Sequence, residues 1–490
     1  MFHDLLKKTS TYSIATIAGR AISVLLLPIY TRFLTPADYG VMELLDITVN
    51  LVSLLLGARM GQAIFYFYFA ASTKEEKEKC ISTAFLCSIL IGAACSAFSL
   101  AGAPALSLLV FGSPQYAHYL RIVFLGFGLS LPAEMGYCAM RAFGQSKRYV
   151  AITLANQFGT AALALVFLLL FHWHISALLI ASVTGMAAVA VYAAWYLLSP
   201  IPLTLDFRLM GRLLRYSLPL GISGLAVFLI HYGDRFFLRP RISLAELGVY
   251  SLAYKIGMLV AFCHAPFVLH WNSQICQIGN RSDGEAIFVR SFTYVCAALS
   301  LVVVALSLGV APALPIITTP AFFGAAKMIP WIAIAYLLRA AGAHIQSLFT
   351  LEGKPALEAR VNLVGSLTCI AAYATLVPRF KIAGAIAATL LGFLVILIYG
   401  FRVARRLRPF DLEYRALTLI AASTTAALTL PHLTNPATFW AQTAEAAGLT
   451  IIHAAALYLI CTSREAASPA EGRTPLTPLT SSASLNSLTS

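Results

Sequence analysis

Long apolar stretches, separated by short segments rich in charge, proline or glycine, follow one another along almost the whole chain. Each stretch is about 20 residues long, the length that a helix needs to cross the hydrocarbon core of a membrane. A helix also satisfies its own backbone hydrogen bonds, as a segment surrounded by lipid must. The pattern therefore predicts an all-α polytopic membrane protein with fourteen transmembrane helices, TM1 to TM14. Their approximate ranges are 11–33, 41–68, 81–111, 118–140, 149–171, 176–198, 216–238, 245–270, 291–313, 327–350, 359–378, 382–403, 415–432 and 442–461.

Lysine and arginine are distributed unevenly between the two sides of this arrangement. When basic residues near the ends of spans are counted with the adjacent loop, 22 of the 34 lie on the side of the N-terminus, 8 lie on the opposite side and 4 lie deep within spans. Because Lys and Arg accumulate in cytoplasmic loops, we expect a multi-pass protein of the cytoplasmic (inner) membrane with both termini in the cytoplasm. A count of twelve spans is the alternative.

Composition excludes several classes of function. Apolar residues make up 59% of the chain and charged residues 11%, too few to cover the surface of a soluble fold. The net charge of +14 arises from short clusters between spans rather than from one basic patch, so nucleic acid is excluded as a partner. The cysteines and histidines show no metal-ligand spacing, and no nucleotide-binding or hydrolase motif occurs. The sequence thus predicts a protein that is not an enzyme, with no catalytic residue, metal or cofactor.

An internal repeat divides the chain into two related parts. Segments 32–41 and 235–250 each carry an Arg-Phe pair, then an acidic residue and a Gly-Val pair, six spans apart. Six is an even number, so both parts enter the membrane in the same sense, with a binding site expected between them. The predicted units are an N-lobe at 1–198, a C-lobe at 199–410, TM13 and TM14 at 411–464, and a tail at 465–490. The Ser, Thr and Pro content of the tail predicts disorder.

Cations within spans are the first candidates for a binding site, because a charge that faces lipid is penalised by several kcal/mol. Arg20 lies on a polar stripe of TM1, Lys255 lies in TM8, and Arg339 shares a face of TM10 with Gln346 and Thr350. Arginine offers a permanent charge and a donor fork that suit a pyrophosphate. For each of them, the alternative is an ion pair or hydrogen-bond network within one lobe.

Acidic groups supply a second set of candidates. Glu43, Asp46 and Asn50 share one face of TM2 at spacings of 3 and 4 residues. Asp46 is a candidate for ion coupling or for neutralising an arginine, and Asn50 for a cavity contact. Asp234 and Arg235 close TM7, and we expect them to form a gate or a structural ion pair rather than a ligand site.

The ordered motifs at 34–40, 216–220, 233–238 and 247–256 resemble those of the polysaccharide transporter family. That family includes the Wzx-type O-antigen flippases and belongs to the MOP superfamily, together with MATE drug exporters and the lipid II flippase. The resemblance extends to about Cys461. It implies a V-shaped pair of six-helix lobes with two extra C-terminal helices. It also implies transport of a polyprenyl-pyrophosphate-linked oligosaccharide from the cytoplasmic to the outer leaflet by alternating access, for polysaccharides such as lipopolysaccharide O-antigen.

The same resemblance implies roles for individual residues and partners. The lipid II flippase carries basic cavity residues on the helices that correspond to TM1 and TM8, so Arg20 and Lys255 are expected to contact pyrophosphate. The implied partners are the lipid-linked oligosaccharide, membrane lipids and, as a further candidate, other polysaccharide-assembly proteins. One alternative is a MATE-like cation exporter, which predicts twelve spans and an acidic cavity. The other is a membrane-embedded polysaccharide polymerase or ligase, which predicts a long catalytic outer loop.

Overall fold

The computed structural model describes residues 19, 22, 25–56, 60–198, 201–279, 281–434 and 438–466, and within these ranges the chain is helical with no β-strand. Helix α1 is described over 25–33. The remaining helices are α2 Pro36–Leu56, α3 Met60–Ala70, α4 Lys74–Phe111, α5 Ala117–Ala142, α6 Ser146–Leu170, α7 His174–Leu198, α8 Phe207–Tyr232, α9 Asp234–Leu238, α10 Leu244–Gly257, α11 Leu259–Gly279, α12 Gly284–Ile317, α13 Ile329–Leu351, α14 Pro355–Leu407, α15 Tyr414–Thr429, α16 Pro431–Thr434 and α17 Phe439–Ala466. The all-α polytopic prediction is confirmed.

Nine helices of the described part are long and apolar enough to cross a membrane. One of them, the 53-residue α14, is two helices joined at Lys381, whose backbone has φ 48° and ψ −124°. The thiol of Cys369 on one arm contacts the carbonyl oxygen of Ala388 on the other at 3.8 Å. The two arms are therefore antiparallel, and they coincide with the predicted spans TM11 and TM12.

One predicted span is a broken helix: TM8 is divided between α10 and α11. At the break the amide of Ala261 donates to the carbonyl of Met258 at 3.0 Å, which is a tightened turn of the 3₁₀ type. Hydropathy did not indicate this break, because it registers the polarity of side chains and not the path of the backbone.

Most helices pack against neighbours from the same part of the chain, whereas α2 packs mainly against α10 and α8. In what we call the N-half, α1 to α7, helix α5 packs against α4 and α7, and α6 packs against α7. In the C-half, α8 to α14, helix α13 packs against α11, α12 and α14. Helices α15 and α17 lie on α12. The two halves meet where α2 packs on α10 and α8, and where α3 packs on α8.

The repeat is visible in space at the α2–α10 contact. Thr35 and Asp38 exchange hydrogen bonds at the start of α2, and Ser243 and Glu246 form a capping box at the start of α10. Gly40 then packs against the backbone of α10 and Gly248 against that of α2. A Cβ atom would lie 2.0 Å from the Leu244 carbonyl oxygen at Gly40, and 1.8 Å from the Pro36 carbonyl oxygen at Gly248. We call this reciprocal contact the glycine seam.

The glycine seam predicts a specific destabilisation. Gly248→Ala should force α2 and α10 apart and lower the free energy of unfolding by about 1–3 kcal/mol, as overpacking does elsewhere. The matched control is Gly309→Ala in α12, where nothing lies within 4 Å of the added Cβ atom. Alanine favours a helix over glycine, so this control should be neutral or stabilising. Thermal unfolding of the purified proteins measures both, and equal stabilities would contradict the close approach.

The segment that joins the halves is fastened to the N-half. The Thr204 amide donates to Ser82 Oγ at 2.8 Å, and the Asp206 amide donates to Thr83 Oγ1 at 3.2 Å. The Asp206 carboxylate caps α8 and pairs with Lys79 Nζ at 2.8 Å. The bond from Lys79 and the amides of the first turn of α8 lower the pKa of Asp206 to about 2. The carboxylate is therefore ionised at neutral pH and holds α8 to the start of α4.

Candidate functional site

A buried ion pair connects the two halves next to the glycine seam. Arg235 Nε on α9 donates to Glu43 Oε1 on α2 at 3.0 Å. Arg235 is 1% exposed and Glu43 is 6% exposed. Charges that are removed from water so completely persist only when they are paired. The pair therefore holds α2 and α9 together in this conformation.

Arg235 has further partners within the C-half. Its Nη1 donates to Asp234 Oδ1 at 2.7 Å and to the His231 carbonyl at 3.0 Å. The guanidinium lies 4.1 Å from the ring centroid of Tyr254, a cation–π distance. Tyr250 Oη donates to the other oxygen of Asp234. Glu43, Asp234, Arg235 and Tyr250 form what we call the ion-pair cluster, in which one cation serves two carboxylates.

Asp234 and Arg235, for which we predicted a gate or a structural ion pair, lie in the ion-pair cluster together with Glu43, which was not predicted as their partner. Sequence reasoning placed Glu43 on the polar face of TM2 but considered only Asp46 as the pairing acid. Glu43 is one turn closer to the glycine seam, which brings it to Arg235. The only signal in the sequence was its position as the first acid on that face.

Asp46, Asn50 and Lys255 have exposed side chains although each belongs to a predicted span. The ammonium of Lys255 lies 5.5 Å from the ring centroid of Tyr39 on α2, and Asp46 is within electrostatic reach of Lys255. Asn50 Nδ2 donates to the carbonyl of Asp46 on its own helix at 2.8 Å. These three residues thus lie where α2 of the N-half meets α10 of the C-half.

The halves also meet at the opposite end of α2 and α3. The rings of Tyr66 on α3 and Tyr216 on α8 stack with centroids 4.9 Å apart. Arg212 on α8 lies over the ring of Phe67 at 5.7 Å. Along the chain, Asp46 and Asn50 lie between this aromatic contact and the ion-pair cluster. The two halves are therefore in contact on both sides of the exposed polar groups.

Arg339 lies in a different environment from Lys255, in a pocket of the C-half. The pocket has a volume of about 140 Å³ and is lined by residues of α11, α13 and the start of α14. Those that carry polar groups include His264, Trp271, Asn272, Arg339, Gln346, Thr350 and Glu358. The predicted face of TM10 with Arg339, Gln346 and Thr350 is thus brought together in one pocket.

Several buried polar atoms in this Arg339 pocket have no hydrogen-bond partner in the described part of the chain. They include the donors Arg339 Nη1 and Gln346 Nε2, and His264 Nε2, which donates or accepts according to the tautomer of the ring. Glu358 lies within electrostatic reach of Arg339 without forming an ion pair with it among the described residues. Unpartnered buried donors are costly. The pocket is therefore suited to an anionic or hydroxyl-rich group that accepts hydrogen bonds.

Arg20 and its polar stripe lie outside the described residues, as does the tail beyond Ala466. Within the ranges that are described, no cluster of three His, Cys, Asp or Glu side chains is placed to hold a metal ion.

Comparison with known proteins gives one family match and several similar folds. A family model described as "Polysaccharide biosynthesis protein" matches residues 29–266. This range includes the glycine seam, the ion-pair cluster and Lys255, but not the α13 face of the Arg339 pocket. No curated protein matches the chain.

Solved structures give the fold. The lipid II flippase MurJ in its inward-closed conformation has a TM-score of 0.73 and 13% identity, over 91% of this chain and 98% of that one. An inward-facing MATE multidrug transporter of the MOP superfamily has a TM-score of 0.66 and 15% identity, over 81% of this chain and 97% of that one. A MOP superfamily transporter from Pyrococcus furiosus has a TM-score of 0.56 and 15% identity, over 82% of this chain and 95% of that one. The predicted resemblance is thus confirmed in sequence by the match to polysaccharide biosynthesis proteins over residues 29–266, and in fold by the similarity to MOP transporters.

Proposed function

We propose that this multi-pass membrane protein, similar in fold to MOP transporters and in sequence to polysaccharide biosynthesis proteins, is a lipid-linked oligosaccharide flippase. Its substrate would be a polyprenyl-pyrophosphate-linked glycan that moves from the cytoplasmic to the outer leaflet of the cytoplasmic membrane. The observation that carries the proposal is the polysaccharide-biosynthesis match, because it covers the helices at which the halves meet. Lipopolysaccharide O-antigen is the class of product that we favour.

The arrangement of charges supports an anionic substrate. Lys255 is exposed within a predicted span, and Arg339 and Gln346 line a pocket and carry buried donors without a partner among the described residues. An exposed cation in a span avoids the penalty of facing lipid if it faces water instead. We therefore propose that Lys255, Asn50 and Asp46 line a hydrated path between the halves. Arg339 and Gln346 would bind phosphate or sugar hydroxyls beside that path, and Arg20 would complete it from TM1.

Alternating access supplies the mechanism. The N-lobe at 1–198 and the C-lobe at 199–410 would rock about this path, with residues 411–464 attached to the C-lobe through α12. One closure consists of the glycine seam and the ion-pair cluster, which includes the proposed gate residues Asp234 and Arg235. The other consists of the aromatic contact between Tyr66 and Tyr216. Opening one while the other stays closed would expose the path to one side at a time.

Reconstitution tests the function directly. Proteoliposomes with the full chain would receive a fluorescent polyprenyl-pyrophosphate oligosaccharide, and a membrane-impermeant reductant would bleach the probe in the outer leaflet. A flippase lets bleaching proceed beyond the outer-leaflet fraction, which protein-free liposomes do not. A parallel arm with a fluorescent organic cation tests the MATE-like alternative. Cation transport without movement of the glycolipid would refute the proposal.

The proposed orientation makes a separate prediction. The excess of basic residues places both termini and the loops at Lys74, Lys147 and Arg405 in the cytoplasm. Reporter fusions at these three positions should all give a cytoplasmic signal, and a fusion in the turn at Lys381 should give the opposite one. An outside signal at any of the first three would overturn the orientation. The transport assay does not depend on this result.

A further inference from the structure

A groove on the outside of the C-half lies between α12, α14 and α15, away from the contact between the halves. Its volume is about 750 Å³. The wall is apolar, with Phe292 from α12, Leu397, Ile398 and Phe401 from α14, and Tyr414 and Leu417 from α15. One edge carries Arg402, Arg405 and Arg406. We call it the arginine groove.

Two of these three arginines have no ion-pair partner among the described residues. Arg405 Nη2 pairs with Asp411 at 2.8 Å. Arg402 and Arg406 are exposed and form no ion pair within the described ranges of the chain. They are four residues apart on one helix, so their side chains lie on the same face. The edge of the groove therefore presents two adjacent guanidinium groups that no described carboxylate neutralises.

The apolar wall continues from these arginines along α14 into the membrane. Leu391, Leu394 and Ile398 are 42%, 38% and 42% exposed, and spacings of 3 and 4 residues align them with Arg402. An apolar stripe of this kind suits an acyl chain. The groove and the exposed stripe that continues from it therefore combine a cationic end with an apolar track along α14.

We infer that the arginine groove binds an anionic glycerophospholipid of the leaflet on the arginine side. Its phosphate would lie between Arg402 and Arg406, and an acyl chain would follow Ile398, Leu394 and Leu391. Guanidinium groups bind phosphate through paired charge-assisted hydrogen bonds, and basic pockets between transmembrane helices are typical sites for anionic lipids. Because the wall includes residues of α15, the bound lipid would hold α15 against the C-half. The inference does not depend on which substrate the protein transports.

Lipid titration of the delipidated full-length protein tests this site. Native mass spectrometry would count bound phosphatidylglycerol and phosphatidylcholine with identical acyl chains, and thermal unfolding would follow each titration. We expect phosphatidylglycerol to bind and to raise the melting temperature. Arg402→Gln/Arg406→Gln should weaken this binding roughly thirtyfold, the equivalent of about 1 kcal/mol for each arginine at an anionic surface.

Two further variants separate specific from general effects. Arg208→Gln/Arg360→Gln removes the same charge from exposed positions outside the groove and should bind phosphatidylglycerol like the parent. Ile398→Trp fills the apolar track without a change of charge and should weaken binding too.

Three results would overturn the inference: equal binding of both lipids, equal losses in the two double variants, or displacement of phosphatidylglycerol by a polyprenyl-pyrophosphate glycolipid. The last result would make the groove an entry site for the substrate.

Discussion

Arg235→Met should be the most destabilising single substitution at the contact between the halves, with a loss of about 3–5 kcal/mol in the free energy of unfolding. The reason is that Arg235 is the cation for two buried carboxylates, Glu43 at 3.0 Å and Asp234 at 2.7 Å. Methionine fills much of the volume but leaves both acids without a counterion. Chemical or thermal unfolding of the purified protein provides the measurement.

A second substitution makes this prediction sharper. Glu43→Gln added to Arg235→Met removes one of the two uncompensated charges, so the double variant should be more stable than Arg235→Met alone. The control is Asp283→Ala, which breaks the exposed pair with Arg281 at 2.7 Å and should lose less than about 1 kcal/mol. If the double variant were less stable than the single one, the buried charges would not be the cause.

Glu43→Gln on its own separates a gate from a purely structural pair. It leaves Arg235 paired with Asp234 inside the C-half and weakens only the bond between the halves. A gate predicts a shift toward the conformation in which α2 and α10 separate. Labelling of a cysteine that replaces Leu244, a residue whose backbone borders the glycine seam, would then increase. A structural pair predicts a loss of stability with unchanged labelling.

Hydropathy was sufficient for the fold because each span must satisfy its hydrogen bonds within itself, so each can be identified from its own residues. The repeat could be recognised for a similar reason, since its caps and glycines are local features. The reciprocal packing of Gly40 and Gly248 adds the reason why glycine stands at both positions: any Cβ would collide with the opposite backbone.

Hydropathy and helix periodicity did not predict which residues on different helices contact one another. The partner of Arg235 on the other half is Glu43, which is far away in sequence. The polar face of TM2 does not distinguish Glu43 from Asp46. The Arg339 pocket needs α11 and α14 in addition to the face of TM10, so His264 and Glu358 could not be assigned to it. A helix face indicates which residues lie together on one element, but not which element lies opposite.

Arg339→Met should have the opposite profile to Arg235→Met, with normal stability and little transport. Arg339 has no ion pair among the described residues, and its Nη1 is buried without a partner, so removing the charge relieves a cost rather than creating one. The loss of a charge-assisted contact to phosphate, about 1.5–3 kcal/mol, should reduce transport roughly tenfold to a hundredfold. Arg339→Lys should retain partial activity, because lysine keeps the charge but not the paired donors of the guanidinium group.

Arg20→Ala and Lys255→Ala should also lower transport, because each removes a charge-assisted contact to phosphate. Arg379→Ala, at an exposed position in the α14 turn, should leave transport unchanged. Proteoliposome assays at matched protein amounts would measure transport, and thermal unfolding would measure stability. An Arg339→Met protein that transports at the parent rate would remove the pocket from the transport path, since its buried donors would then serve no passing anion.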